Sequence, residues 1–258
     1  MARLARLLLA ALAALAAGCP SAGDTDDYPV GGGGAGGGTS GPPPGGDGGT
    51  GGDGGTSGQI RGRVCLVSDL RRLTGQLPTD CATTGAGNLT VSLGGAVAAL
   101  TAPDGSFSIP TQEGTNLAWR VTGPQLIPSV VPVSASTLLP AISEAVYADL
   151  KSASGVIVSP GQGSVIARVF RGTGAGGAAV TGATAQIVGG ESLQTLYDGA
   201  TATTWTTSAT GTLGVAWLPD NALGARTLRI AYGSPAAQLS VPVAIADQAI
   251  TFVAIALP

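Results

Sequence analysis

Four short runs of alternating residues occur twice in this chain, in the same order. "IRGRV" at Ile60 is matched by "VIARV" at Val165, and "DGSFSI" at Asp104 by "TGTLGV" at Thr210. "LAWRV" at Leu117 is matched by "LRIAY" at Leu228, and "VPV" at Val131 by "VPV" at Val241. The offsets run from 105 residues for the first pair to 111 for the third. One match would be chance; four in order at one spacing mark tandem copies of a single folding unit. Whatever secondary structure the runs carry is therefore built twice.

Their period is two. Ile60, Val64 and Leu66 fall on one face of the first run, and Arg61, Arg63 and Cys65 on the other. Leu89, Val91 and Leu93 repeat the alternation, as do Phe107 and Ile109, then Leu117, Trp119 and Val121. Such runs, punctuated by Gly, Pro and Asp, read as antiparallel strands joined by turns. In "APDGS", Ala102 to Ser106, Pro suits an early turn position, Asp104 caps, and Gly105 takes φ > 0. The expected fold is all-β: two tandem antiparallel β-sandwiches, residues 59–134 and 159–258. Composition agrees. Aromatics are only 4% of the chain and charged residues 10%, so the cores are built from Ala, Val, Ile and Leu, which suits short strands. Pro132 and Pro242 interrupt strand-like runs and place those strands at edges or bulges.

Residues 135–158 read as a helical connector. In "PAISEAVYADLKSASG", Ile142, Val146 and Leu150 recur at helical spacing, with Pro140 near the start and Gly155 after the end. The stripe is expected to pack on a sandwich or between the two, making a semi-rigid pair.

The order strand, loop, strand, hairpin, strand, "VPV" resembles the carboxypeptidase regulatory-like domains. The resemblance rests on Ile60-Arg61-Gly62, on Asp104 to Ile109 and on Thr181-Gly182-Ala183. It implies a transthyretin-like sandwich of about seven strands in each copy. The first copy departs from the pattern in its insertion "SDLRRLTGQLPTD", and the second has Thr210-Gly211 where Asp-Gly is expected.

The N-terminus reads as an address. Two arginines lie within Met1–Arg6, and an apolar run spans Leu7–Ala17. That run is too short to cross a bilayer, which takes about 20 residues, and fits a secretory signal peptide, residues 1–18. Leu15-Ala16-Ala17-Gly18-Cys19 resembles the lipobox of bacterial lipoproteins. That resemblance implies cleavage before Cys19 and lipidation of its thiol, with the membrane as a partner through this N-terminal lipid. Pro20, where Asp would signal inner-membrane retention, implies sorting to the outer membrane of a Gram-negative envelope. The alternative is ordinary cleavage near Ala17 and a soluble secreted product. Cysteine arithmetic favours lipidation. The chain has three cysteines, and once Cys19 is acylated, Cys65 and Cys81 remain as an even pair for a disulfide in an oxidising compartment. The bridge would pin the insertion to the first strand and contribute about 3 kcal/mol.

Residues 19–58 hold the lipidated cysteine and a Gly/Pro/Asp-rich linker. With almost no apolar side chain to offset the entropy of ordering, the linker is expected to be a disordered tether with a mean span of about 35 Å. Its Asp24, Asp26, Asp27, Asp47 and Asp53 read as solvated spacer charges, since EF-hand spacing is absent.

Catalytic and cofactor motifs are weak. The chain has no histidine, which removes the commonest general base and metal ligand. Gly172, Gly174 and Gly177 form a literal G-x-G-x-x-G, but "AAVTGATAQIV" follows where a dinucleotide site needs a helix. Lys151, the lone lysine, falls at a helix end, where a cation suits the dipole. No cofactor or metal is expected, Asp104 being assigned to its turn. A net charge of −3 argues against a nucleic-acid partner. Trp119 and Trp217 alternate with core positions. Trp205, set among threonines, is the aromatic expected at the surface and the candidate contact for a sugar or partner. The reading is a lipid-anchored, non-enzymatic envelope protein with a structural, scaffolding or binding role, its partner an envelope protein or a polysaccharide. A carbohydrate-binding module is the first alternative and a carboxylate-based hydrolase the second. Oligomeric state is not legible in the sequence.

Overall fold

The computed structural model describes residues 58–258, apart from 75–76, 79–80, 96, 115–116, 135–136, 173–176, 190–193 and 200–204. The signal segment, Cys19 and all of the linker except Gly58 lie outside the described residues. The first half contributes β1 (Gln59–Leu66), β2 (Leu73–Thr74), β3 (Leu77–Pro78), β4 (Thr90–Leu93), β5 (Val97–Leu100), β6 (Ser106–Pro110), β7 (Ala118–Thr122), β8 (Leu126–Ile127), β9 (Ser129–Pro132) and β10 (Leu138–Ser143). Helix α1 (Glu144–Ser154) follows. The second half contributes β11 (Gln162–Arg171), β12 (Ala178–Ala179), β13 (Thr184–Val188), β14 (Leu196–Asp198), β15 (Trp205–Thr206), β16 (Val215–Ala222), β17 (Gly224–Tyr232), β18 (Ala237–Ile245) and β19 (Ile250–Leu257).

Each half is a sandwich, and the two share one topology. In the first, strands ordered β6-β1-β10 face strands ordered β4-β7-β9; in the second, β16-β11-β19 face β13-β17-β18. Alternation puts Val64, Ile109 and Leu139 from one sheet against Val91, Trp119 and Val121 from the other. Phe107 meets Trp119 edge-on, with ring centroids 5.5 Å apart. The second core repeats this with Val165, Leu218 and Ile255 against Ile187, Leu228 and Ile230.

Two hydrogen bonds recur at the same place in both copies. The Val64 N–H donates to Gly105 O at 2.9 Å, and the Val169 N–H to Gly214 O at 2.8 Å. Gly105 and Gly214 both have positive φ, and a Cβ on either would come within 2.6 Å of the accompanying strand's carbonyl oxygen, so only glycine fits. A buried threonine braces each turn. Thr101 Oγ1 donates to Ala86 O and accepts from the Leu89 N–H; Thr210 Oγ1 donates to Val180 O and accepts from the Ala183 N–H. These pairs correct the repeat register. Thr210 corresponds to Thr101 and Gly214 to Gly105, so "TGTLG" matches "TAPDG" and not the "DGSFS" that string similarity selects.

Three further expectations change. Most strand pairs are antiparallel, but β1 with β10, β11 with β19, and β19 with β9 are parallel. Period-two patterning fixes which face is buried and is silent on a neighbour's direction; the strands between each first and last strand supply the crossover that a parallel pair needs. The helix starts at Glu144, not near Pro140. Pro140 to Ser143 continue β10, where Cys65 pairs with Pro140, so the first sandwich is completed by a strand from within 135–158. Ser143 caps the helix, its Oγ accepting from the Val146 N–H. Gly155 closes it in the left-handed conformation at φ 65°.

A third core lies between the sandwiches. Ile142 and α1's Val146, Tyr147 and Leu150 pack with Val67 and Leu70 of the insertion and with Ile166, Trp217, Ile250 and Phe252 of the second sandwich. The expected stripe thus packs as a unit, although Ile142 belongs to the strand. Strand β11 is buried along eight consecutive residues, Gly163–Phe170, because this core covers one face and the sandwich interior the other. Across the junction the Ile250 N–H donates to Pro128 O at 2.8 Å. This makes one sheet of the second sandwich continuous with one sheet of the first.

The duplicated threonines give a stability test. Thr101→Val or Thr210→Val strands a buried N–H and a buried carbonyl while keeping side-chain shape. Each should lower unfolding free energy in urea by about 1–3 kcal/mol, and Thr→Ser at either site should restore most of the loss.

Candidate functional site

Strands β9 and β19 pair only at Ser129–Val130 with Ile250–Thr251. Beyond that point they diverge, and a cleft of about 930 Å³ opens between the sandwiches. Both copies of the repeated tripeptide line it, Val131-Pro132-Val133 from one sandwich and Val241-Pro242-Val243 from the other. Proline presents no N–H, so β18 lacks a donor at Pro242 near its centre and β9 lacks one at its last residue, Pro132; β9 itself is flanked by β7 and β19 and is not an edge strand, contrary to the expectation for Pro132. Pro242 lies in β18, an edge strand, as its sequence context requires. The remaining wall is β19 itself. The Ala249 carbonyl accepts from the Ser164 N–H of β11, and the Ile250 N–H points the other way to Pro128. Alternation then directs the backbone N–H and C=O of Ala254 and Ala256 away from β11, along the side that β9 has left, the Phe252 N–H still falling within the β9 pairing at Val130. The site is an apolar groove with one strand edge open for hydrogen bonding.

One charged residue, Arg168, lines the groove. It is 4% exposed; its guanidinium donates to Val169 O at 2.7 Å and lies 5.8 Å from the Phe170 ring centre. Burial pulls its pKa below the usual arginine value, and the Asp198 carboxylate opposes that shift. Asp198, also buried, is spent on the chain. Its oxygens accept from the N–H groups of Gly211, Leu213 and Val215 at 2.6 to 3.0 Å and so hold the turn that carries Gly214.

The residues singled out by sequence fall as follows. Cys65 and Cys81 are disulfide-bonded, Cys65 buried in β1 and Cys81 exposed. Trp119 and Trp217 are buried core residues. Trp205 is half-buried: its ring lies 5.4 Å from that of Trp217, and the Arg71 guanidinium covers it at 5.5 Å. Lys151 Nζ sits over the Tyr147 ring at 5.0 Å, and the Tyr147 hydroxyl is hydrogen-bonded to Ser164. Asp104 accepts from the Ser106 N–H and hydroxyl; these bonds, with a smaller contribution from Arg63, hold its carboxyl below the usual carboxylate range. After Gly177 the chain enters β12, paired with β11, so a strand follows the glycines and no helix N-terminus awaits a pyrophosphate; Gly174 and Cys19 lie outside the described residues. Among the described residues no three His, Cys, Asp or Glu side chains gather in a metal-binding group. No helix among them is long and apolar enough to cross a membrane.

Sequence reasoning missed Arg71, Arg168 and Asp198. Each is charged and buried, and burial of a charge has no period to betray it. The groove was missed too: the repeated "VPV" was read as edge or bulged strand, and only the fold brings its two copies to one cleft.

No known protein family matches the chain, and no curated protein matches it. Among solved structures the chain is similar to part of an interface mutant of a type II Cohesin-X-Dockerin complex from Acetivibrio cellulolyticus. The match is at 18% identity with a TM-score of 0.22, over 33% of this chain and 53% of that one. The chain thus spans about half the length of that solved structure.

Asp198→Ala removes the two carboxylate oxygens that accept from three backbone amides, one buried and two partly buried. It should cost about 3 kcal/mol or more in urea unfolding, while Asn, with one acceptor oxygen, should recover part of it. Asp104 should titrate, by carboxylate NMR, below the ordinary range in the wild type and move up in Ser106→Ala. Because its folded-state pKa is lowered, its contribution to stability is present above the unfolded-state pKa and lost as pH falls through the folded one.

Proposed function

We propose that this chain is a lipid-anchored protein of the bacterial cell envelope with a binding or scaffolding role, its paired sandwiches joined to the lipidated N-terminus through the acidic Gly/Pro/Asp-rich linker. The observation that carries the reading is Cys19, set directly behind Leu15-Ala16-Ala17-Gly18 at the end of the apolar leader. The Cys65–Cys81 bond supports it, because disulfides persist outside the cytosol. Several acyl chains, each buried CH₂ contributing about 0.8 kcal/mol, would hold the mature chain stably where one would not. Each sandwich is read as a transthyretin-like domain of the regulatory type. The shared topology, with the first strand flanked by the hairpin strand and the last strand, supports that reading.

Binding is assigned to the groove and not to a catalytic pocket. Its walls are apolar, the buried acid nearest Arg168 is engaged by three backbone amides, and its open β19 edge suits an extended segment of a partner protein that adds as a strand. For a saccharide the expected platform is Trp205, whose ring is already packed by Trp217 and Arg71; this favours the protein-binding reading.

Metabolic labelling with palmitate, followed by fractionation, tests the anchor. The wild type should be labelled and pelleted with membranes, and Cys19→Ser unlabelled and soluble. An unlabelled wild type in the culture fluid overturns the proposal. For the groove, Ala254→Pro deletes an N–H that points away from β11. It should abolish retention of an envelope partner by the purified protein while leaving its melting temperature within a few degrees of wild type.

A further inference from the structure

The insertion that distinguishes the first copy reaches across to the second. It leaves β1 with the Val67 N–H donating to Ala141 O at 2.8 Å, and it returns at Ala82, which pairs with Leu66. Between these points Leu70, fully buried, enters the third core beside Trp217. Arg71, 7% exposed, lies over Trp205 of the second sandwich. Asp69 grips the guanidinium through Nε at 2.8 Å and Nη2 at 2.7 Å. The third nitrogen, Nη1, is buried with no acceptor among the described residues.

That last observation sets the energetics. A buried guanidinium with an unmet donor is a costly tenant, because water would satisfy every one of its N–H groups. Leu70 and the aromatic contact favour the closed position; the unmet donor and the entropy of ordering the loop oppose it. The Cys65–Cys81 bond, spanning 16 residues, removes much of that entropy cost by holding both ends of the loop together.

We propose that this disulfide is a redox-operated clasp. Oxidised, it keeps Arg71 over Trp205 and closes the junction between the sandwiches; reduced, it lets Arg71 leave and uncovers Trp205. The chemistry is thiol–disulfide exchange with a dithiol reductant. Cys65 is buried and Cys81 exposed, so a thiolate arriving from solvent attacks the Cys81 sulfur and expels the Cys65 thiolate, which takes up a proton. The reductant's second thiolate then displaces Cys81 from the mixed disulfide. Two protein thiols and one oxidised reductant result. Loss of a cross-link of this span raises the open population of the loop on the order of 100-fold.

The test uses the full mature protein, oxidised and after treatment with dithiothreitol, with free thiols counted by alkylation. Reduction should shift tryptophan emission to the red and raise acrylamide quenching several-fold, with far-UV circular dichroism unchanged. Trp205→Phe should lose this response, and oxidised Arg71→Ala should show the exposed signal without reduction. Cys65→Ala/Cys81→Ala should match the reduced wild type. Unchanged quenching with two thiols counted overturns the proposal, as does a response that survives in Trp205→Phe. Loss of the sheet signal on reduction also overturns it, since the bond would then staple the whole fold and not a clasp.

Discussion

The hydrogen bond from the Ile250 N–H to Pro128 O joins the two halves at the level of the backbone. Neither sandwich needs the other to fill its interior, since each has its own closed set of apolar side chains. The outer face of β16, β11 and β19 is a different matter. It carries Trp217, Ile166, Ile250 and Phe252, which a lone sandwich would expose to water, where an apolar patch of that size is costly. Pairing β19 with β9 brings the first sandwich and α1 over this face. The groove is the other consequence of the same pairing: two strands that meet for two residues and then part leave a wedge between them.

The duplication also shows what was added to each copy after the shared frame. The buried threonine and the positive-φ glycine are common to both and hold the first strand to the hairpin turn. Outside that frame, the first copy carries the disulfide-bonded insertion and the second carries β14 and β15. These additions meet. Leu70 and Arg71 from one touch the same aromatic cluster as Leu196 and Trp205 from the other. An insertion that packed on its own sandwich would stabilise only that sandwich; packed on the neighbour's, it ties the two together.

Sequence patterns resolved what is periodic. Alternation located Val64, Val91, Trp119 and Val121 in a core, and the four matched runs exposed the duplication. The cysteine count paired Cys65 with Cys81. What escaped was aperiodic or relational. Strand direction leaves no trace in alternation, so the parallel partners of β1 and β11 were unreadable. The register of the hairpin match slipped because Asp-Gly and Thr-Gly look alike as strings, while the physical equivalence runs through Thr101, Thr210 and their backbone partners. Pro140 was read as a helix start because proline favours a first turn; it is equally at ease in a strand whose N–H has no ladder partner. Trp205 appeared to be a surface residue because its threonine neighbours are polar, yet its partners come from Arg71, more than a hundred residues earlier in the chain.

The prolines of the repeated "VPV" act differently in the assembled pair than either would alone. In an isolated sandwich, Pro242 guards an edge strand against unwanted pairing. Both lining the groove, Pro132 and Pro242 withdraw a donor from the end of β9 and from the middle of β18. Strand β19, with alanines at 254 and 256, keeps its outward N–H and C=O groups and offers no bulky side chain at those positions. An extended segment entering the wedge can therefore extend the ladder on β19, whereas its carbonyls find no donor at either proline. A missing donor on each of two strands thus becomes a rule of register and of side on the third, a property that exists only because two copies of one sequence face each other.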